Sequence, residues 1–157
     1  MESFDEFRKV ISRLRAEDGC PWDREQTHRP LKPGCIEEAA EVICGINVLE
    51  ETGNAENLKE ELGDLLLQVV MHAQIAEEEG LFTLDDVISA ITEKMIRRHP
   101  HVFGSVHVSG SEEVLLNWEQ IKKKEKEGKE DVSRYLPRAM DEAKELIEAA
   151  KKRKGYL

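Results

Sequence analysis

The stretch Leu62-Gly63-Asp64-Leu65-Leu66-Leu67-Gln68-Val69-Val70-Met71-His72-Ala73-Gln74-Ile75-Ala76 decides the fold. Stepped at about 100° per residue, its apolar side chains fall almost all round the axis, whereas a surface helix confines them to one stripe. Such a helix is buried on most sides, at the centre of a bundle or at a subunit interface. A chain of 157 residues offers little room for that much burial, so the pattern predicts a homo-oligomer. A central helix in a monomer is the alternative. Asp64 interrupts the apolar run, and a charge there needs a partner.

Helical spacing continues on both sides. Phe4, Phe7, Val10, Ile11 and Leu14 share one face of a helix over 3–17. Residues 18–33, with Gly19 and three prolines, read as a structured loop. Ile36, Ala39, Ala40, Ile43 and Ile46 mark a second helix over 35–51, and Gly53-Asn54 breaks it before the long helix over 55–79. Gly80 ends that helix, and Thr83 with Asp85-Asp86 opens a fourth, over about 84–98. His99 to Gly104 reads as a loop and 105–110 as extended or disordered. Ser111 with Glu112-Glu113 starts a fifth helix to about 126, and a sixth runs over about 137–153. Alternating Val and Ile patterns are scarce, so an all-α helical bundle is expected, without a sheet. A polar linker separates residues 1–127 from a C-terminal segment, 128–157.

The formal charge is −10. Broad phosphate neutralisation needs a basic face, so nucleic acid is disfavoured, as is polybasic membrane binding. Between Glu37 and Glu79 stand twelve carboxylates and the single cation Lys59, so the remaining residues carry a net charge of +1. No apolar run reaches the length of a membrane span. The first residues hold Glu2, Asp5 and Glu6 and show no signal-peptide core. Cys20, Cys35 and Cys44 form neither a disulfide framework nor a Cys-x-x-Cys pair, which suits a reducing cytoplasm. The Lys151-Lys152-Arg153-Lys154 cluster is expected to complete the last turn of a helix.

The acidic excess has a pattern. Glu38 and Glu41 share one face of the second helix, and Glu61 and Asp64 one face of the third. A short break joins these helices, so they should be antiparallel neighbours with the acid pairs facing each other. Carboxylates converging at low dielectric repel unless a cation neutralises them. A hard divalent ion with oxygen ligands does so, and Mg²⁺ is commonly shared with substrate phosphates. The plain alternative is a solvated acidic face. A di-iron bundle requires Glu-x-x-His on two helices. The literal match, Glu25-Gln26-Thr27-His28, lies in the proline-flanked loop, which favours Mg²⁺ or Mn²⁺ over iron.

A Mg²⁺ site implies an anionic ligand. Lys94 and Arg98 are four residues apart on the fourth helix, and Trp118 and Lys122 repeat that spacing on the fifth. Such cations suit phosphate oxygens. Taken alone, Trp118 suits core packing better than base stacking. Cysteine–histidine nucleophilic chemistry in the 20–28 loop lacks any sign of an activated thiol. His72 lies roughly on the face of Asp64, as a site or core histidine.

The acid pattern E-E-x-x-E, then E-x-x-D, resembles that of the MazG nucleoside triphosphate pyrophosphohydrolase family. Four further blocks carry the resemblance: CPWDREQTH at 20–28, NLKEELGDLLLQVVMHAQIAEEEG at 57–80, EKMIRRHPHVFG at 93–104 and NWEQIKKKEK at 117–126. It covers about residues 4–127. It implies the all-α NTP pyrophosphatase fold, a homodimer or higher assembly, and Mg²⁺-dependent cleavage of NTPs or dNTPs to monophosphate and pyrophosphate. By that similarity Glu38, Glu41, Glu61 and Asp64 fall on metal ligands. Lys94, Arg98, Trp118 and Lys122 fall on nucleotide- and phosphate-binding positions. Glu37 falls on the first acid of the motif, and either Glu37 or Glu41 is expected to act as general base. Residues 132–157 resemble the connector and first helix of a second such module. Cys35, Cys44 and Gly45 depart from the bulkier residues expected there; Gly45 costs about 1 kcal/mol relative to Ala in a helix. A non-catalytic regulatory oligomer that senses nucleotide or metal is the alternative function.

Overall fold

The computed structural model describes residues 2–128 and 130–156, excepting the side chain of Glu2. Among them there are helices and no strands: α1 (Glu2–Arg15), α2 (Pro21–Glu25), α3 (His28–Thr52), α4 (Glu56–Glu78), α5 (Leu84–Arg98), α6 (Pro100–Phe103), α7 (Ser111–Lys126), a 3-10 turn (Val132–Tyr135) and α8 (Leu136–Arg153). The all-α expectation holds. Contacts divide the chain into two compact units, one of residues 1–84 with 138–157, the other of 85–137. The sequence division at 127/128 follows composition, whereas these units follow contacts.

Two segments expected to be loops contain helix. The short helices α2 and α6 each carry proline in the first turn, where a missing N–H removes no intrahelical bond. The helix expected to begin at 35 instead begins at His28. Pro30 falls among the first four residues, whose amides have no helical partner, and only Pro33 lies deeper. Glycines end the long helices. At Gly53 (φ 74°) the amide bonds to Leu49 O at 2.9 Å. At Gly80 (φ 69°) the Leu81 amide reaches back to Ala76 O at 2.9 Å.

The core of the first unit lies at the C-terminal half of α4. Val70, Met71, Ala73 and Ile75 are buried together with Ile11 and Leu84, flanked by Phe4, Phe7, Leu14, Leu31 and Leu67. Val10, expected on the inward face of α1, is 49 % exposed. The N-terminal half of α4 is different: Leu62, Leu66 and Val69 face solvent, as do Ile43 and Ile46 of α3. The all-round apolar pattern thus serves the core only from Leu67 onward.

α3 and α4 run antiparallel, because their contacts step in opposite sequence directions. Gly45 meets Leu58, Glu38 meets Glu61 and Asp64, and Cys35 meets His72. Gly45 is the tightest point. It is buried, and a Cβ built there would stand 2.8 Å from Leu58 Cα. The opposing atom is backbone and cannot swing aside. This accounts for a glycine inside a helix at the cost noted above.

In the second unit, α5 and α7 are held by Glu125. Its carboxylate accepts from Arg97 Nε at 2.7 Å and from Arg98 at 2.6 and 3.1 Å. None of the described residues 85–137 is buried, so polar ties matter more here than in the first unit.

Gly45→Ala improves helix propensity yet forces α3 and α4 apart. We expect it to lower Tm by roughly 3–10 °C in thermal melts followed by circular dichroism, given about 1–3 kcal/mol for overpacking. A raised Tm would show that the close approach is not required.

Candidate active site

The α3–α4 pairing sets the acids. Carboxylate oxygens of Glu38, Glu61 and Asp64 come within 4.8 Å of one another. Asn57, one turn before Glu61 on α4, donates from Nδ2 to Glu61 Oε1 at 2.8 Å and orients that carboxylate. Burial, then the neighbouring charges of Glu41, Asp64 and Glu61, push the Glu38 carboxyl above its ordinary value, while Lys154 opposes them. The anionic charge is thus incompletely neutralised at Glu38. Three hard oxygen donors at this spacing suit a small divalent cation, whose neighbouring ligand oxygens lie about 3–4 Å apart. No histidine or thiolate belongs to this group.

Glu41, the fourth acid expected here, stands outside the cluster of three and pairs with Lys154 Nζ. Glu37, one turn earlier on α3, pairs with Arg153. The C-terminal basic cluster therefore does more than complete a helix: its last two cations return to the acidic motif across more than a hundred residues. Sequence reading missed this contact. The sequence marks only a concentration of cations at 151–154, and no local pattern ties that run to the acids. α8 is registered by a second ion pair, Lys32 Nζ to Glu142 at 2.9 Å, and by buried Ala150. Glu37, Glu41, Asn57 and Glu61 line a cavity of about 400 Å³ together with Lys151 and Lys154.

The cationic and aromatic candidates all belong to the second unit. Arg98 lies over the Trp118 ring, 5.2 Å from its centroid, and also pairs with Glu125. His99 meets the same ring edge-on at 5.0 Å. Lys122 pairs with Glu119 at 3.0 Å. Lys94 is half-buried on α5. Arg98 and Lys122 line a cavity of about 600 Å³ with Glu125 and Lys126. Trp118, weighed as core packing, is part of this cationic cluster and is not buried.

His72 is not gathered with the acids. It stacks on His28 with ring centroids 5.1 Å apart, and its Nε2 lies 3.3 Å from Cys35 Sγ. Burial and then the His28 charge lower its pKa, and burial raises that of Cys35. A neutral thiol beside a neutral imidazole is a packing contact, not an activated nucleophile.

Comparison with known proteins places relatives beside this chain. The family described as the MazG nucleotide pyrophosphohydrolase domain matches residues 26–103, which include all five acids of the motif. Over 131 residues, 83 % of this chain, it is 50 % identical to the nucleoside triphosphate pyrophosphohydrolase/pyrophosphatase MazG of Thermotoga maritima, covering 48 % of that protein. Identity to the nucleoside triphosphate pyrophosphohydrolase of Escherichia coli K12 is 44 % over 147 residues, 89 % of this chain and 54 % of that one. Identity to the uncharacterised protein YabN of Bacillus subtilis is 55 % over 123 residues, 78 % of this chain and 24 % of that one. The chain thus spans about a quarter to just over half the length of these relatives.

The second unit makes a pH prediction. The bonds from Arg98 and Arg97 hold the Glu125 carboxyl down at about 2, against an ordinary 4.5. A depressed carboxylate pKa stabilises the fold above the unfolded value, and that stability is lost as pH falls toward the folded value. The Tm difference between wild type and Glu125→Gln should therefore be full at pH 5.5 and shrink steadily toward pH 2.5. A difference independent of pH would contradict the assignment.

Proposed function

Because the chain belongs to the MazG nucleotide pyrophosphohydrolase family, we propose that it hydrolyses nucleoside triphosphates, NTPs or dNTPs, to the monophosphate and pyrophosphate. The carrying observation is the convergence of Glu38, Glu61 and Asp64 on one point between α3 and α4. Carboxylates gathered this closely, each adding to the repulsion on Glu38, are the donor chemistry of a hard divalent cation. Mg²⁺ is the ion we assign, with Mn²⁺ as substitute and Glu38, Glu41, Glu61 and Asp64 as its ligands. Glu41 completes that set on leaving Lys154.

When bound, Mg²⁺ supplies water activation and charge neutralisation on the triphosphate. The chain's own residues do the rest. Glu37 or Glu41 accepts the proton of the attacking water; water oxygen bonds to Pα, the Pα–O–Pβ bond breaks, and pyrophosphate leaves. Asn57 keeps Glu61 oriented through its amide. Lys94, Arg98 and Lys122 bind phosphate oxygens, and Trp118, already a platform for a guanidinium, offers a face to the base.

A homo-oligomer, most simply a dimer, suits the exposed Ile43, Ile46, Leu62, Leu66 and Val69, whose burial against a second copy would be favourable. A role in clearing nucleotide pools in the cytoplasm suits three free cysteines and the lack, among the described residues, of a helix long and apolar enough to cross a membrane.

The test is product identification. With Mg²⁺ the protein should convert NTPs or dNTPs to monophosphate and pyrophosphate. Asp64→Asn should lower turnover roughly 100-fold or more while leaving helicity intact. Release of orthophosphate alone would overturn the bond assignment, and nucleotide binding without turnover would favour a regulatory sensor. Mg²⁺ or Mn²⁺ at about 100 times its Kd should also raise the wild-type Tm by roughly 5–10 °C and leave that of Asp64→Asn nearly unmoved.

A further inference from the structure

The last turn of α8 is an ordered element. Gly155 closes it at φ 75°, with the Tyr156 amide bonded to Lys151 O at 2.9 Å and the Gly155 amide to Lys152 O at 3.3 Å. This double closure fixes the turn. Ala150, on the same turn, is buried. From this base Arg153 and Lys154 reach Glu37 and Glu41, two acids spaced one turn apart on α3. The Glu37 side chain is 13 % exposed under Arg153, which is itself 61 % exposed, and Lys154 and Glu41 are each about a third exposed.

The cavity here has an acidic wall, Glu37, Glu41 and Glu61, and a facing wall of Ile147, Lys151 and Lys154. Its volume of about 400 Å³ falls in the range of small-ligand sites. Five carboxylates around a triphosphate would repel it strongly, and one divalent ion offsets only part of that charge. The cations that the first unit itself sets beside these acids are Lys151, Arg153 and Lys154. Lys154 is at bonding distance from Glu41. Were Glu41 to hold a metal ion, the Lys154 ammonium would stand beside it in the same cavity, within reach of an anionic ligand of that ion.

We propose that the C-terminal turn of α8 forms the cationic wall of the nucleotide pocket, with Lys154 a substrate-binding residue for the triphosphate. In the metal-free protein Lys154 rests on Glu41, and Arg153 on Glu37 clamps the turn in place. The proposal rests on the pyrophosphohydrolase reading for the identity of the ligand. It adds a part of the chain, residues 150–156, that lies beyond the segment matched by the family.

The experiment uses the full chain and an α,β-methylene nucleoside triphosphate with Mg²⁺, titrated calorimetrically into wild type, Lys154→Gln and Lys154→Arg. Mn²⁺ titrations without nucleotide run in parallel, and circular dichroism checks folding. Lys154→Gln should weaken analogue binding roughly 10- to 100-fold, the scale of one charge-assisted bond. Lys154→Arg should stay within about threefold of wild type. Mn²⁺ affinity of Lys154→Gln should equal or exceed that of wild type, because a competitor for Glu41 has gone. Unchanged analogue binding in Lys154→Gln overturns the proposal. So does an equal loss of Mn²⁺ and analogue affinity, which marks a merely structural contact. Wild type that binds the analogue but forms no pyrophosphate from NTP refutes the enzymatic reading, and the Lys154 comparison still decides the pocket. Wild type that does not bind the analogue overturns both.

Discussion

The rest of the site depends on the close approach of α3 and α4 at Gly45 and Leu58. With no Cβ at 45, the two backbones come near enough for carboxylates on both helices to converge. That convergence is unfavourable by itself. Burial and three neighbouring acids raise the Glu38 pKa, so the helix pair holds an electrostatic demand for cations. Packing energy from the Val70–Ile75 end of α4 maintains the pairing against that repulsion. The apolar half of α4 thus supports the geometry of its acidic half.

The structure answers the demand from within the chain. Arg153 and Lys154 sit on Glu37 and Glu41, while among the described residues no cation pairs with Glu38, Glu61 or Asp64. The acidic motif is therefore split into a part neutralised by the chain and a part suited to a metal. The net charge of −10 is compatible with a phosphorylated substrate for the same reason. Attraction at this site would come from a bound cation and a few positioned side chains, not from the field of the whole molecule.

Much of this was legible in the sequence. The acid pairs, the break at Gly53 and the run to Ala76 together specify an antiparallel helix pair with facing carboxylates. Helical period and glycine stops are local signals, and local signals survive folding. α3 begins well before the position its prolines suggest, because prolines near a helix start cost little. The role of Gly45 became specific only when Leu58 was seen opposite it. The contact of Lys154 with Glu41 was not legible, because no local pattern relates residues separated by more than a hundred positions. Val10, Ile43 and Ile46 have the spacing of core residues but lie exposed. Periodicity shows that a face is apolar and does not show what covers it.

In the proposed reaction the acids between α3 and α4 direct water to Pα of a nucleoside triphosphate. Hydrolysis in ¹⁸O-labelled water, with products resolved by mass spectrometry, tests this most directly. Attack at Pα places ¹⁸O in the nucleoside monophosphate and leaves pyrophosphate unlabelled. Label in pyrophosphate, or in orthophosphate released alongside a diphosphate, would contradict it.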